Sequence, residues 1–365
     1  MGFTCGIVGL PNVGKSTLFN ALTSTQAAAA ANYPFCTIEP NTGRVPVPDP
    51  RLDKLGEIAK SARIIPTQLT FTDIAGLVRG ASRGEGLGNQ FLANIRETDA
   101  VLHVLRCFES EITHVEGSVD PVRDAEIVDT ELMLADLESL ERRIQAAVKK
   151  ARGNDAEAKA ELDLMERARD VLAEGRPARA MARSAEEEPA FRALQLLTGK
   201  PVLYVCNVDE GAAATGNAHS AAVAARAAAE GTEAVVICAE IEAEIAQLVD
   251  AEERAEFLSS LDLEEPGLNK VIRAGYRKLG LITFFTAGPK EARAWTVTDG
   301  STAPEAAGVI HSDFQRGFIR AETIDYDTYV ALGGEQAAKD AGRMRQEGKD
   351  YRVIDGDIFH FRFNV

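Results

Sequence analysis

The chain has 365 residues, a formal net charge of −16 at pH 7 and 45% hydrophobic residues. This length accommodates two or three domains with a substantial core, and the acidic balance argues against a protein that binds nucleic acid through a broad positive surface. Because the chain has no apolar run of about 18 residues and no secretory signal, we expect a cytoplasmic protein that makes no membrane contact.

The first predicted element is a strand, a glycine loop and a helix. Phe3–Val8 has the apolar character of a short buried strand, and Ser16–Leu22 that of the first turns of a helix. Between them, Gly9–Thr17 matches Gly-x-x-x-x-Gly-Lys-Ser/Thr, the phosphate-binding loop or P-loop. Backbone N–H groups of such a loop surround phosphates, Lys15 adds a positive charge near the β- and γ-phosphates, and the Ser16 hydroxyl can ligate Mg²⁺.

Two loops after the first helix carry residues that suit a nucleotide switch. Thr37 lies in a segment whose prolines exclude a helix. Its hydroxyl can ligate Mg²⁺ while its N–H meets the γ-phosphate. Asp73 ends a predicted strand, Leu69–Ile74, where its carboxylate can hold the Mg²⁺ shell. Gly76, at the start of a glycine-rich stretch, can bring its N–H against the γ-phosphate.

Strands and helices then alternate along the chain. Such alternation predicts an α/β fold with a doubly wound parallel sheet. The predicted segments are strands at Ala100–Arg106, Pro201–Asn207 and Ala234–Cys238, helices at Gln90–Glu97 and Ser220–Glu230, and an alanine-rich bend at Gln26–Ala31.

A charged helical segment, residues 124–198, interrupts this alternation. Apolar residues recur at three- and four-residue spacing over Asp129–Lys150, and a second charged helix, Ala156–Glu174, follows a break at Gly153 and Asn154. The pattern predicts a helical hairpin, an antiparallel coiled coil. The alternative is a solvated helical arm.

The pattern changes again near residue 280. Strands grouped around short helices predict a small α+β domain over 280–365, behind a nucleotide-binding domain over 1–279 that contains the helical insertion. The predicted elements are strands at Leu281–Thr286 and Ala292–Val297, a helix at Thr302–Ile310, and a hairpin over Tyr351–Phe363 with Asp355-Gly356 as its turn.

The segment Asn207-Val208-Asp209-Glu210 occupies the strand end where GTPases carry Asn-Lys-x-Asp. In those proteins the lysine stem lies along the base, and the aspartate accepts two hydrogen bonds from guanine. Here Val208 and Glu210 stand in those places. Since a site built to hydrogen-bond its ligand rejects analogues by about 10⁴–10⁵-fold, the two replacements remove strong preference for guanine. Cys238-Ala239-Glu240 stands where GTPases carry Ser-Ala-Lys, a second loop on the base side.

Leu77 follows Gly76, where Ras-type GTPases place a water-orienting glutamine. An apolar side chain cannot orient water, so either hydrolysis is slow or another group supplies the role. His114, beyond the strand that ends at Arg106, is the candidate because its loop could face the phosphates. The alternative is a surface or internally satisfied histidine.

These patterns together resemble the YchF/Obg-like ATPase family of P-loop proteins over nearly the whole chain. The resemblance implies an α/β, GTPase-like domain with a helical coiled-coil insertion and a C-terminal TGS domain. The stretches that carry it are GLPNVGKST (9–17), YPFCTIEPN (33–41), DIAGLVRGA (73–81), GEGLGNQFL (84–92), HVEGSVDP (114–121), NVDE (207–210) and DFQRGFIRAE (313–322).

The resemblance also implies slow, Mg²⁺-dependent hydrolysis of ATP in preference to GTP. It implies binding to the ribosome, mainly its large subunit, in translation control or a stress response. RNA contact would be local, through the TGS domain or the hairpin. Taken with the patterns above, the expected phosphate ligands are Asn12, Val13, Gly14, Lys15, Ser16, Thr17 and Gly76, the Mg²⁺ ligands are Ser16, Thr37 and Asp73, the adenine-side residues are Asn207, Val208, Glu210, Cys238 and Ala239, and the catalytic residues are Lys15 and His114.

Two other functions stay open. One is a conventional translational GTPase of the Obg class, against which residues 207–210 argue. The other is a nucleotide-gated binding protein that does not hydrolyse its ligand.

Overall fold

A computed structural model of the chain describes residues 3–30, 41–74, 88–110, 114–152, 155–248 and 250–364. None of the helices in these ranges is long and apolar enough to cross a membrane. The strands are β1 (Thr4–Val8), β2 (Thr42–Pro46), β3 (Ile64–Ile65), β4 (Gln68–Asp73), β5 (Ala100–Arg106), β6 (Val202–Asn207), β7 (Ala234–Ile237), β8 (Leu281–Ala287), β9 (Ala292–Thr298), β10 (Phe318–Asp325), β11 (Arg345–Glu347) and β12 (Asp357–Phe363). The helices are α1 (Lys15–Ala30), α2 (Pro50–Ala59), α3 (Gly88–Arg96), α4 (Pro121–Ala151), α5 (Ala156–Ala173), α6 (Glu188–Ala193), α7 (Ala218–Ala229), α8 (Ala239–Ile245), α9 (Ala251–Ser260), α10 (Gly267–Lys278), α11 (Ala303–Ile310), α12 (Ser312–Arg316), α13 (Tyr326–Leu332) and α14 (Glu335–Asp340).

The first of two compact units comprises Met1–Val45 and Thr70–Gly275. Its sheet has the strand order β2-β4-β1-β5-β6-β7, and β4, β1, β5, β6 and β7 run parallel. Every residue of β5 and β6 is buried, as expected for strands covered on both faces. The predicted α/β fold is confirmed. Because parallel strands end at one edge, the segments after β1, β4, β5, β6 and β7 meet there.

The helical hairpin predicted from the sequence is present as α4 and α5. It begins earlier than predicted, at Pro121, because Asp120 caps the helix by accepting from the N–H of Arg123 at 3.1 Å. The two helices share an apolar core with α6 that includes Leu140, Leu164 and Phe191. These buried side chains give the insertion a hydrophobic core of its own.

The second unit comprises Pro46–Leu69 and Tyr276–Val365. Its sheet has the order β11-β10-β12-β8-β9-β3. The consecutive residues Phe284 and Phe285 of β8 lie in two different apolar clusters, since side chains alternate across a strand. The segment 46–69 differs from the sequence-based division, which placed it in the first domain. It belongs here because Leu52 and Leu55 of α2 pack in the cluster that contains Phe285.

Two local predictions were wrong. The hairpin over Tyr351–Phe363 does not form, because β12 pairs antiparallel with β10 and parallel with β8. The turn that precedes β12 is instead held by Thr283, whose N–H donates to the Asp355 carboxylate at 2.8 Å and whose carbonyl accepts from Gly356 at 2.8 Å. The alanine-rich bend is also absent: α1 continues to Ala30, as the high helix propensity of alanine favours.

Candidate functional site

The P-loop follows β1 and wraps around the start of α1. Gly14 has a φ of +95°, and a Cβ there would collide with Nδ2 of Asn207. A Cβ at Gly9 would collide with the carbonyl oxygen of Val104 on β5. Asn12 sits between them with a φ of +62°, a conformation that asparagine tolerates better than most residues. Both positions therefore require glycine, because neighbouring atoms of Val104 and Asn207 leave no room for a Cβ.

Asn207, the last residue of β6, joins three parts of the site. Its buried side chain donates from Nδ2 to the carbonyl of Val13 at 3.0 Å. Its Oδ1 accepts from the N–H of Ala239, at the start of α8, at 2.9 Å. One amide thereby holds the P-loop and the loop after β7 at a fixed separation, with both bonds away from water.

Lys15 lies at the first position of α1 and is 8% exposed. Its Nζ donates to the carbonyl of Leu10 at 2.7 Å, so it reaches back across the loop. Burial lowers its pKa to about 8, while the nearby Asp73 carboxylate opposes this shift. Below that pH the ammonium form prevails, and a phosphate would supply the negative charge that the buried cation lacks.

Ser16 and Asp73 lie together at the edge of the sheet. The Ser16 hydroxyl donates to Oδ2 of Asp73 at 3.3 Å. Burial raises the pKa of Asp73, against the opposing effects of Lys15 and Ser16. Its Oδ1 is buried and has no hydrogen-bond partner among the residues that the structure describes. An unpaired carboxylate oxygen beside a hydroxyl fits a divalent cation that takes oxygen ligands.

A divalent cation at Ser16 and Asp73 would need further ligands from the nucleotide. Within the described ranges, no three His, Cys, Asp or Glu residues cluster in a way that could hold a metal. Mg²⁺ is commonly held by one or two protein oxygens together with phosphates and water, which is what Ser16 and Asp73 offer. Thr37 and Gly76, the other predicted ligands of the cation and the phosphates, lie outside the described residues.

The predicted base-side residues come together at the ends of β6 and β7. Val208 is 2% exposed, and its N–H donates to the carbonyl of Ile237 at 2.8 Å. Cys238 and Ala239 are buried as well, and Glu210 is exposed in a short helical turn. The structure therefore brings Val208, Cys238 and Ala239 together around Asn207, whereas the carboxylate of Glu210 faces solvent.

His114 is buried, with its ring held by neighbours. Its Nδ1 accepts from the N–H of Glu116 at 3.1 Å, and its Nε2 lies 2.8 Å from Oδ2 of Asp124 in the first turn of α4. Within the part of the chain that the structure describes, His114 makes no hydrogen bond or ion pair with residues 9–17. The described structure therefore places His114 beside Asp124 and not at the P-loop, and its role as a water-positioning residue stays a prediction.

Asp124 is the residue that the sequence analysis missed. It is fully buried and it also accepts from Arg123, whose nearest nitrogen lies 3.0 Å from Oδ1. The available signal was the Asp120-Pro121 pair, which marks a helix start. Placing the start there would have put Asp124 in the first turn, facing back toward the segment that contains His114.

Strand, glycine loop and helix, with a buried lysine and a serine–aspartate pair at the carboxyl edge of a parallel sheet, define a P-loop nucleotide-binding protein. Two family models match the chain: one described as 50S ribosome-binding GTPase over residues 4–150, and YchF-GTPase_C, a protein of unknown function (DUF933), over residues 281–364. The chain belongs to the YchF family.

Relatives support this assignment over the full length. The chain is 59% identical to "Ribosome-binding ATPase YchF" of Escherichia coli O157:H7, over 366 residues that cover 100% of each chain. It is 52% identical to the protein of the same name from Bacillus subtilis strain 168, again with 100% of both covered. The solved structure of the Schizosaccharomyces pombe YchF GTPase superposes with a TM-score of 0.89 at 38% identity, covering 99% of this chain and 98% of that one. The predicted family is confirmed.

The collision at Gly14 yields a test of the loop geometry. Gly14→Ala should weaken ATP binding at least about tenfold, because the new Cβ displaces either the P-loop or the Asn207 amide that holds it. Gly231→Ala is the matched control, since Gly231 has a φ of +67° with nothing within 4 Å of the added Cβ. Fluorescent-nucleotide titration of both variants would measure the dissociation constants. Equal effects of the two substitutions would contradict the account of the loop.

Proposed function

We propose that the protein is an Mg²⁺-dependent ATPase that slowly hydrolyses ATP to ADP and phosphate. The observation that carries this proposal is that buried Lys15 lies near the Ser16–Asp73 pair, in which Oδ1 of Asp73 has no hydrogen-bond partner among the described residues. This arrangement supplies a cation for phosphates and an incomplete oxygen site for a metal. The bacterial relatives are named ATPases.

The chain's residues divide the work at the phosphates. Backbone N–H groups of residues 12–17 surround the β- and γ-phosphates, as at other P-loops. Lys15 leaves the carbonyl of Leu10 to neutralise charge on the phosphate oxygens as the bond to the leaving ADP breaks. Ser16, Asp73 and Thr37 would hold Mg²⁺, which would shield the negative charge of the phosphates.

The base side supports ATP over GTP. Glu210 replaces the guanine-reading aspartate and is exposed, and Val208 replaces the lysine that would lie along the base and is buried. The lysine and the aspartate that recognise guanine in GTPases are therefore both absent from these two positions. The alternative, a conventional GTPase of the Obg class, has one argument in its favour, namely that the fission-yeast relative is titled a GTPase.

Hydrolysis also requires a side chain that orients the attacking water. Leu77 cannot orient water, and we propose His114 for this role in a conformation that differs from the buried one. In that conformation one ring nitrogen must be released from its present neighbours, Glu116 or Asp124. A water-positioning group that is mostly held elsewhere would make hydrolysis slow.

The proposed partner is the ribosome, and the protein would act on it in the cytoplasm as a nucleotide-dependent switch in translation or stress response. The relatives are named ribosome-binding ATPases, and the family model that matches residues 4–150 is described as a 50S ribosome-binding GTPase. We further propose the large subunit as the main contact. A local RNA contact would fall on the C-terminal unit or on the α4–α5 hairpin, since the chain as a whole is acidic.

One kinetic experiment tests the reaction and the base preference together. Multiple-turnover phosphate release with Mg²⁺ should give a kcat/KM for ATP at least about tenfold above that for GTP, because Val208 and Glu210 replace the lysine and the aspartate that recognise guanine. Phosphate release by Lys15→Ala, which lacks the buried cation, serves as the blank. A tenfold preference for GTP would support the Obg-class reading, and wild-type release no faster than the blank would show a binding protein that does not hydrolyse.

Ribosome association is tested by co-sedimentation. Full-length protein should pellet with ribosomes and with isolated large subunits, and the bound fraction should change between a non-hydrolysable ATP analogue with Mg²⁺ and ADP. Gly14→Ala should lose that nucleotide dependence because it cannot form the loop. Equal pelleting with and without ribosomes would contradict the proposed partner, and pelleting with small subunits alone would contradict the proposed surface.

A further inference from the structure

His114 is buried between its own loop and the first turn of α4. Its side chain is 3% exposed and that of Asp124 is 0% exposed. The N–H of Glu116 donates to Nδ1, which places the ring proton of a neutral imidazole on Nε2, toward Asp124. Nε2 and Oδ2 are at ion-pair distance without a well-aligned hydrogen bond. Both ring nitrogens are therefore engaged, and neither is open to a water molecule at the nucleotide.

The residues around His114 form one unit with the first turn of α4. The N–H of Gly117 donates to the carbonyl of His114 at 2.9 Å, closing a turn. Arg123 donates to the carbonyl of Ser118 at 2.6 Å and also to Asp124. Because these contacts join the segment to the helix start, the position of Asp124 against His114 depends on the position of α4.

The other end of α4 lies far from this turn. The helix has 31 residues and continues into the hairpin with α5, so at about 1.5 Å per residue it spans roughly 45 Å. On the core side, Arg226 of α7 holds its early turns by donating to the carbonyl of Val122 at 3.4 Å and to Asp129 at 2.7 Å. A partner that binds the hairpin can therefore act on the histidine through a continuous helix.

We propose that Asp124 is the positioning residue of His114: it holds the imidazole in a stowed position and makes its release depend on α4. The inference rests on the proposed role of His114 in ATP hydrolysis. Asp124 is fully buried and acts only through the histidine. In the isolated protein the stowed form limits turnover, and movement of α4 frees the ring.

Steady-state kinetics of the full chain test this inference. Asp124→Asn should raise kcat about threefold or more, because the neutral amide holds Nε2 less strongly. Asp124→Ala should raise kcat further, since no acceptor remains. KM should change less than about twofold, because ATP binding does not involve this contact. Both increases should vanish in a His114→Ala background.

Two controls separate positioning from simple loosening of the helix. Asp120→Ala removes the N-cap of α4 but keeps the Asp124 carboxylate, and it should raise kcat less than Asp124→Asn does. Thermal unfolding establishes that each variant is folded. A fall in kcat in Asp124→Asn, no change, or an increase that persists without His114 would each overturn the proposal.

A chemical readout is independent of activity. Diethylpyrocarbonate modification mapped by mass spectrometry should spare His114 in the wild type and label it in Asp124→Ala. His103, 2% exposed, should stay protected in both proteins, and His311, with a side chain 60% exposed, should react in both. Continued protection of His114 in Asp124→Ala would overturn the proposal. If wild-type phosphate release equals the Lys15→Ala blank, the proposed ATPase function fails, and the modification pattern alone decides whether Asp124 holds the ring.

Discussion

The site depends on one buried amide. Asn207 holds the carbonyl of Val13 with its Nδ2 and the N–H of Ala239 with its Oδ1, and its Nδ2 occupies the space that a Cβ at Gly14 would need. The P-loop is thereby fixed against the end of β6. Because a loop that must surround phosphates cannot fill its own interior with side chains, its shape has to be imposed from outside by such contacts. The same amide sets the distance from the phosphate side to the base side.

The charges of the site are arranged for a ligand that brings its own. Lys15 is buried, its hydrogen-bond partner within the described residues is the neutral carbonyl of Leu10, and burial lowers its pKa to about 8. Asp73 is half-buried, its buried Oδ1 has no hydrogen-bond partner among the described residues, and burial raises its pKa. Burial therefore disfavours the charged form of each group. Phosphates would stabilise the charged form of Lys15, and a divalent cation would stabilise the charged form of Asp73. We therefore expect the two ligands to bind as one complex.

Sequence patterns predicted the parts of this molecule that rest on local chemistry. The P-loop between β1 and α1, the strand that ends at Asp73 and the helical hairpin depend on spacing within a short segment. The Asp355-Gly356 pair misled because its turn is held by Thr283, distant in sequence. The segment with Leu52 was misplaced for the same reason, since its partners lie in β8 and β9. The environment of His114 was likewise hidden until Asp124 was placed by the fold.

The central claim is that Lys15, Ser16 and Asp73, on a loop held by Asn207, form the phosphate and Mg²⁺ site. A crystal structure with Mg²⁺ and a non-hydrolysable ATP analogue tests it most directly. The account predicts that Nζ of Lys15 leaves the carbonyl of Leu10 for phosphate oxygens, that the cation is ligated by Ser16 with Asp73 at its shell, and that Asn207 keeps both of its hydrogen bonds. Phosphates bound elsewhere with Lys15 still on Leu10, or an Asn207 side chain swung away from the loop, would contradict it.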